Sequence, residues 1–248
     1  MAAKIKSLEK AINVLGCFSV TQPELGITEI AQNLDMYKST IHNIVSTMEY
    51  CGFLEQNKST GKYRLGLRIM ELSHVLSTSM GAHNIVHRHL KELSVKIDEI
   101  CYFAIPNGED IVYIDGAFPE KMYNTRLVQG MTASMVCTAI GKAMLSYMSD
   151  AFIDEVLSKP LKKYTDCTIT DADIMREELR VTRARGYSID NMEHEYGIKC
   201  VGVPVFNRQG EIIGALSTTG PSLRFTDEQV LMYADMLREK ADVMQQSF

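Results

Sequence analysis

The stretch GITEIAQNLDMYKSTIHNIVSTMEYCGFL, residues 26–54, decides how this chain is read. It divides into two short helical patterns with a break between them. Ile30, Ala31 and Leu34 line one side of the first. Asp35-Met36 supplies the break, because an Asp side chain bonds its own backbone and favours turns. The second pattern carries Ile41, Ile44, Val45 and Met48 at i, i+3, i+4 and i+7, the spacing of one buried helix face. Its opposite face holds Ser39, His42, Asn43 and Ser46, all small to medium, polar and uncharged, with Lys38 at the start and Thr40 on the flank. A helix that offers hydrogen-bonding side chains and is held by a shorter helix before it suits the major groove of a duplex. The same spacing also describes an ordinary helical hairpin with a solvated face, so the flanking sequence has to separate the two.

Upstream, Ser7 is an expected N-cap for a first helix whose apolar stripe is Leu8, Ala11, Ile12 and Leu15. Gly16, Pro23 and Gly26 break the chain before the organising stretch, and Thr28 is placed to cap its first helix. Downstream, Gly52 is a helix stop. Phe53-Leu54 and Tyr63–Leu65 then read as two short strands around a turn holding Gly61. Three helices followed by a hairpin bearing Lys58, Lys62 and Arg64 form a winged helix-turn-helix, with positive charge where a phosphate backbone would lie.

Composition sets the outer bounds. The chain has 248 residues, 46% of them hydrophobic, and a net charge of −5, as expected of a soluble globular protein of one large or two ordinary domains. The acidic excess is uneven: residues 1–80 carry a net +1 and residues 81–248 a net −6. The acid therefore lies away from the helices that would meet phosphates. No apolar run approaches a membrane span and the N-terminus lacks a signal-peptide core, so a cytoplasmic location without a membrane partner is expected. Cysteines stand at 17, 51, 101, 137, 167 and 200. No C-x-x-C pair is among them, which argues against structural zinc and for reduced thiols.

Residues 67–80 read as a connecting helix. A further helix follows, with Ile85, Leu90, Leu93 and Ile97 inward and His83 and His87 at i, i+4. That spacing can hold a metal, but no local carboxylate or Cys joins the pair. Beyond Ile97 strands and helices alternate. ICYFAI and DIVYID flank the turn PNGE; an extended run covers Tyr123–Val128; Gly130–Ser134 reads as loop. Helices follow in CTAIGKAMLSYM, from Asp150, and in DIMREELRVTRAR, the last capped near Asp171 and closed by Gly186. YSID, IKCVGVPVF and IIGALSTTG are strands, and Thr226 with Gln229 forms a capping box for a final helix on Val230, Tyr233, Leu237 and Ala241. The fold class is α+β: an antiparallel sheet flanked by helices, behind an N-terminal winged helix-turn-helix. The expected domains are 1–66, the connecting helix 67–80, and 81–248.

Several of these segments together carry a family resemblance. SLEKAINVL, the stretch 26–54 and GKYRLG resemble the winged helix-turn-helix of the isocitrate-lyase-regulator (IclR) family of bacterial transcription factors. CTAIGKAML and RGYSIDNMEHEYGIKCVGVPVFNRQGEIIGALSTTGP resemble segments of that family's C-terminal domain. The resemblance implies a GAF-like C-terminal fold that binds a small effector, a homodimer or dimer of dimers paired through the connecting helix, and operator DNA as partner. Implied DNA contacts are Lys38, Ser39, Thr40 and His42, to which the sequence adds Asn43 and the wing residues Lys62, Tyr63 and Arg64. Family members often have Arg where this chain has Asn43, and Pro where it has Tyr37. Asn pairs with adenine and Arg with guanine, so a different operator sequence is expected. Implied effector contacts are Met131, Thr132, Asp190, Cys200, Ser217 and Thr219.

The residues themselves leave alternatives open. Asp190, Glu193, His194, Glu195 and Cys200 could make a nucleophile with its base, or a metal site, so a small cytosolic enzyme or metal-binding sensor centred on Cys200 and His194 is the second reading. Against it, Cys200 falls in an apolar strand, where a thiol usually serves as a small hydrophobe. Ser217 and Thr219 stand at i, i+2 and share a strand face. Hydroxyls there suit a carboxylate or sugar-derived acid better than they suit catalysis, although they could also simply satisfy a strand edge. No cofactor, metal or catalytic residue is expected.

Overall fold

The computed structural model describes residues 5–79, 83–119 and 128–246, without the side chains of 79 and 83–85. The chain divides into two compact units, Met1–Met80 and Gly81–Phe248. The first contains α1 (Lys6–Leu15), α2 (Ile27–Asn33), α3 (Lys38–Tyr50), β1 (Leu54–Gln56), β2 (Tyr63–Leu65) and α4 (Arg68–Ser79). Its core is Val14, Leu25, Ile30, Ile41, Val45, Leu54 and Tyr63, so the apolar faces expected of α2 and α3 are the buried ones.

Asp35 turns the chain between α2 and α3 at φ 49°, a left-handed conformation that Asp tolerates better than most side chains. Gly52, at φ 78°, ends α3 as an achiral residue can. Three local expectations change. α1 begins after Ile5 with no side-chain cap, so Ser7 lies inside it. Of its expected stripe Ala11 and Leu15 pack on the core beside the buried Val14, while Leu8 and Ile12 are 57% and 58% exposed; the buried face is shifted toward Val14. α2 is capped by Gly26, whose N–H donates to the Glu29 carboxylate at 2.6 Å, and not by Thr28. β1 and β2 pair as an antiparallel hairpin, and β2 also bridges to Leu25. α4 buries none of its described residues, and Met70, Val75 and Leu76 stand 70%, 64% and 62% exposed.

The second unit runs α5 (His83–Ile97), β3 (Ile100–Asn107), β4 (Asp110–Ala117), β5 (Thr132–Ser134), α6 (Ala139–Leu145), α7 (Asp150–Leu157), α8 (Ala172–Arg185), β6 (Ser188–Asn191), β7 (Ile198–Phe206), β8 (Ile212–Pro221) and α9 (Asp227–Gln245). Its six-stranded sheet is antiparallel throughout, in the order β5-β4-β3-β8-β7-β6. Residues 132–134, expected as loop, are the edge strand β5. The extended run expected at Tyr123–Val128 lies, apart from Val128, outside the described residues, as does the side chain of Ile85.

One face of the sheet is mostly apolar and packs on α5 and α9: Cys101, Phe103, Val201, Val203 and Leu216 meet Leu90, Leu93, Tyr233 and Leu237. On the other face α6 sits close. A Cβ on Gly202 would come within 2.6 Å of the Ala139 backbone, so glycine there is what lets the helix reach the sheet. All seven residues of α6 are buried, Lys142 among them. Thr138 caps α6 by accepting the Gly141 N–H, Asp171 caps α8, and Thr226 with Gln229 forms the expected box on α9.

Candidate functional site

In the N-terminal unit the outward face of α3 carries Ser39, His42, Asn43 and Ser46, all exposed, with Lys38 exposed at its first turn and Thr40 half-buried. The Thr47 hydroxyl donates to the Asn43 carbonyl at 2.8 Å, so it turns back onto the helix and leaves the Asn43 amide to solvent. Lys38 is the only Lys or Arg on the helix, so the face is one of hydrogen-bonding groups more than of charge.

The wing differs from expectation in two ways. Tyr63 is 5% exposed and its ring belongs to the core. It is a structural residue whose side chain offers nothing to a duplex, because alternation on β2 turns it inward while Arg64 turns out. Lys62 is paired with Glu29 at 2.9 Å and Arg64 with Glu55 at 3.1 Å. Both pairs are substantially exposed, so each is weak and exchangeable.

In the second unit the sheet register assembles a polar row on the α6 face. Asp190 pairs with Cys200, and Cys200 with Thr219. Directly opposed residues on antiparallel strands point to one face, and the Cys200 thiol donates to the Thr219 hydroxyl at 3.0 Å. One step along, Ser217 pairs with Gly202 and Tyr102. Four of the expected effector residues, Asp190, Cys200, Ser217 and Thr219, therefore come together.

Thr132 does not join them. It lies on β5, three strands from β8 or roughly 14 Å by strand spacing. It pairs with Val112, on the face away from α6. Met131 is half-buried in the turn beside it, where its carbonyl accepts the Tyr113 N–H at 2.9 Å.

The row is electrostatically unusual. Asp190 is 3% exposed. Burial pushes its carboxyl up to about 6, against the hydrogen bond its Oδ1 accepts from the Glu193 N–H at 2.7 Å. Behind it, Lys142 on α6 is buried in an ion pair with Glu193, and Glu178 lies 3.9 Å further on, itself bridged to Arg185 at 2.8 Å. Burial also raises the Glu193 carboxyl, whose Oε2 has no hydrogen-bond partner. Burial pushes the Cys137 thiol, at the start of the turn into α6, up to about 12, and that of Cys200 well above its ordinary value.

Those thiols are the opposite of activated nucleophiles, which need a lowered pKa and a base. Cys200 bonds a hydroxyl. The exposed ring of His194 lies 5.1 Å from that of Tyr164. Among the described residues no group of three His, Cys, Asp or Glu side chains could hold a metal. His87 meets Asp115 at 2.9 Å, and the side chain of its expected partner His83 lies outside the description.

The sequence reading missed Lys142, Glu193 as its partner, and Tyr102 and Tyr113 beside the row. Only Lys142 carried a signal, as the lone charge in the apolar run CTAIGKAML.

A winged helix-turn-helix with a polar outward face on α3, followed by an antiparallel-sheet unit with a polar row on its α6 face, is the architecture of a DNA-binding transcriptional regulator with an effector domain. Residues 7–58 match the IclR helix-turn-helix domain and residues 74–246 the C-terminal domain of bacterial IclR regulators. The chain belongs to the IclR family. It is 30% identical to the regulator XynR of Escherichia coli over 95% of this chain and 94% of that protein. It is 32% identical to KdgR of the same organism over 95% of this chain and 92% of that protein. The crystal structure of Thermotoga maritima IclR superposes with a TM-score of 0.74 at 29% identity, covering 98% of this chain and 99% of that one. No helix among the described residues is long and apolar enough to cross a membrane.

Proposed function

We propose that this chain is a cytoplasmic, ligand-responsive regulator of a metabolic operon, acting as repressor or activator according to which state its effector favours. Its effector is a small organic acid, a carboxylate or sugar-derived acid, held by Asp190, Cys200, Ser217 and Thr219 with the turn at Met131 as a wall. The observation that carries this reading is the cross-strand row Asp190–Cys200–Thr219, hydrogen-bonding groups from three adjacent strands brought together on the α6 face of the sheet, with Asp190 buried and the other two half-buried. Buried polar groups of that kind need partners, and a polar ligand supplies them.

Lys38, Ser39, Thr40, His42 and Asn43 read the operator, with Lys62 and Arg64 of the wing toward the backbone. The exposed apolar residues Met70 and Val75 of α4, with Leu67 just before it, support a homodimer or dimer of dimers, since they present apolar surface that a second copy can cover. The effector then shifts operator affinity by its differential affinity for two arrangements of the assembly and by no more.

The test is selection of duplexes from a randomised pool by the full chain, followed by titration of the recovered duplex with salt and with D-gluconate, pyruvate and 4-hydroxybenzoate. The expected result is one enriched sequence, bound less tightly as salt rises, with its affinity changed by at least one acid. No enrichment, or enrichment indifferent to every acid, overturns the corresponding half of the reading. Repeating the selection with Asn43→Arg should move the preferred base from adenine toward guanine; an unchanged base preference removes Asn43 from the readout.

A further inference from the structure

We propose that Tyr113 is a specificity-determining residue of the effector pocket: its phenol donates a hydrogen bond to an oxygen of the bound acid, and its ring closes the pocket on the side opposite Asp190. This rests on the reading of the polar row as the effector site. It adds a contact that neither the sequence nor the family comparison supplies.

Register puts Tyr113 on the right face. Tyr113 pairs with Ala104, and Ala104 pairs with Ala215. Ala215 lies two residues from Ser217 on β8, so Tyr113, Ser217 and Thr219 share the α6 face. The small side chains of Ala104 and Ala215 leave room beside them for a long one.

The ring is fixed by its neighbours. Tyr102, which pairs with both Ser217 and Gly116, meets the Tyr113 ring edge-on with centroids 5.3 Å apart. A Cβ on Gly116 would come within 2.7 Å of the Tyr102 ring. The Tyr102 ring therefore lies over a glycine, pinned between Tyr113 and, 6.3 Å away, Phe118. Three aromatic rings make the wall that faces the row.

The backbone of Tyr113 also holds the turn beside the pocket. Its N–H donates to the Met131 carbonyl at 2.9 Å, and its carbonyl accepts the Gly130 N–H at 2.8 Å. One residue thus ties wall and turn together.

Tyr113 is half-buried, and its phenol makes no hydrogen bond with any described residue. It lies near enough to Cys200, Asp190 and Cys137 that negative charge on any of them disfavours the phenolate, in addition to the effect of burial. Tyr113 therefore stays protonated and acts as a neutral donor. An oxygen on an occupant of the pocket is an acceptor within the chemistry of this donor, and a carboxylate or hydroxy-acid oxygen fits it.

The experiment uses the full chain. D-gluconate, pyruvate and 4-hydroxybenzoate are screened by thermal shift, where binding to the folded state raises the melting temperature. Any acid that stabilises the wild type is then titrated calorimetrically against Tyr113→Phe. The expected outcome is an unchanged melting temperature without acid, because the ring and its packing on Tyr102 remain, and a Kd weakened about five- to tenfold, the worth of one hydrogen bond. Tyr113→Leu, which also removes the ring, should weaken it further. If an acid binds the wild type and Tyr113→Phe binds it within about twofold, a change smaller than one lost hydrogen bond, the role of Tyr113 is overturned and the pocket reading stands. If none of the three acids stabilises the wild type, the pocket reading fails and takes this proposal with it.

Discussion

The reading face of α3 and the row on β6, β7 and β8 are both built from polar side chains, and they solve opposite problems. On α3 the groups are neutral, exposed and already satisfied by water, so holding them costs the fold almost nothing. In the sheet the groups are buried or half-buried and several are ionisable, so the buried ones must be paired, protonated or left waiting for a ligand. Asp190 is pushed toward the protonated form, Glu193 is matched by Lys142, and the Tyr113 hydroxyl has no hydrogen-bond partner among the described residues. A surface that meets DNA can be specified by side-chain identity alone. A pocket that senses a small molecule has to be specified by its supporting charges as well. Substitutions should therefore cost the two regions different things: function without stability on α3, and stability before function at the buried charges of the sheet.

The sharpest test is Lys142→Met. Removing the cation strands the buried Glu193 carboxylate, with Glu178 close behind, and breaking a buried pair in this way costs about 3–5 kcal/mol. Urea unfolding of the full chain should show the loss. The double variant Lys142→Met/Glu193→Leu should recover most of it, since a buried ion pair contributes little net stability over an apolar replacement of similar size. If the single variant is as stable as wild type, the sheet's polar network carries no structural cost and the contrast with α3 collapses.

Next in size is the pH dependence of Asp190. Its folded pKa is raised from 3.8 to about 6 by burial, so between those values the folded state holds a proton that the unfolded state releases. Stability therefore falls as pH rises from about 4 to about 6, by up to about 3 kcal/mol for a shift of this size. Asp190→Asn keeps an oxygen to accept the Glu193 N–H and should flatten most of that slope, leaving the smaller contribution of Glu193, which has the same sign. The measurement is the unfolding free energy at several pH values; an unaltered slope would mean that Asp190 is ionised and solvated in the folded protein.

On the α3 side, Asn43→Ala should leave unfolding unchanged and weaken binding to the selected operator by about 1–3 kcal/mol, the usual worth of a base contact. Binding to random duplex should change far less. An equal loss on both duplexes would assign Asn43 to the phosphates.

The two regions also differed in how far they could be read in advance. Helical periodicity in residues 26–54 marks Ile41, Val45 and Met48 as core and leaves Ser39, His42 and Asn43 outside, because exposure on a helix follows directly from spacing. The strands were equally plain in residues 198–206 and 212–221. The row across them was not, because cross-strand register depends on partners distant in sequence. Asp190, Cys200 and Thr219 come from three strands, and the family resemblance named them where periodicity could not. Thr132 shows the limit of that transfer: a residue taken for loop is an edge strand that turns its side chain to the far face. The Lys142–Glu193 pairing and Tyr113 escaped because a buried charge pair and the surroundings of a phenol are properties of packing. In α1 the reverse occurred. Ser7 as cap and the stripe of Leu8, Ala11, Ile12 and Leu15 satisfied local rules; tertiary packing kept Ala11 and Leu15, added Val14, and left Leu8 and Ile12 outside.

The smallest expected effect lies on the wing, where the comparison is finest. Arg64 is half-exposed and already paired with Glu55, both oxygens of which its guanidinium reaches. To touch a phosphate it must exchange one anion for another, so its net gain on binding is the difference between two similar contacts. Arg64→Gln should thus change stability by less than about 1 kcal/mol, as for other exposed pairs. It should also lower the salt dependence of operator binding by less than the roughly one unit expected of an unpaired phosphate contact. Glu55→Gln provides the converse. It frees Arg64, so operator affinity should rise and its salt dependence steepen. If Arg64→Gln instead removes a full unit, the Glu55 pair dissolves entirely on binding, and the wing joins the sheet as a region whose charges are held in reserve.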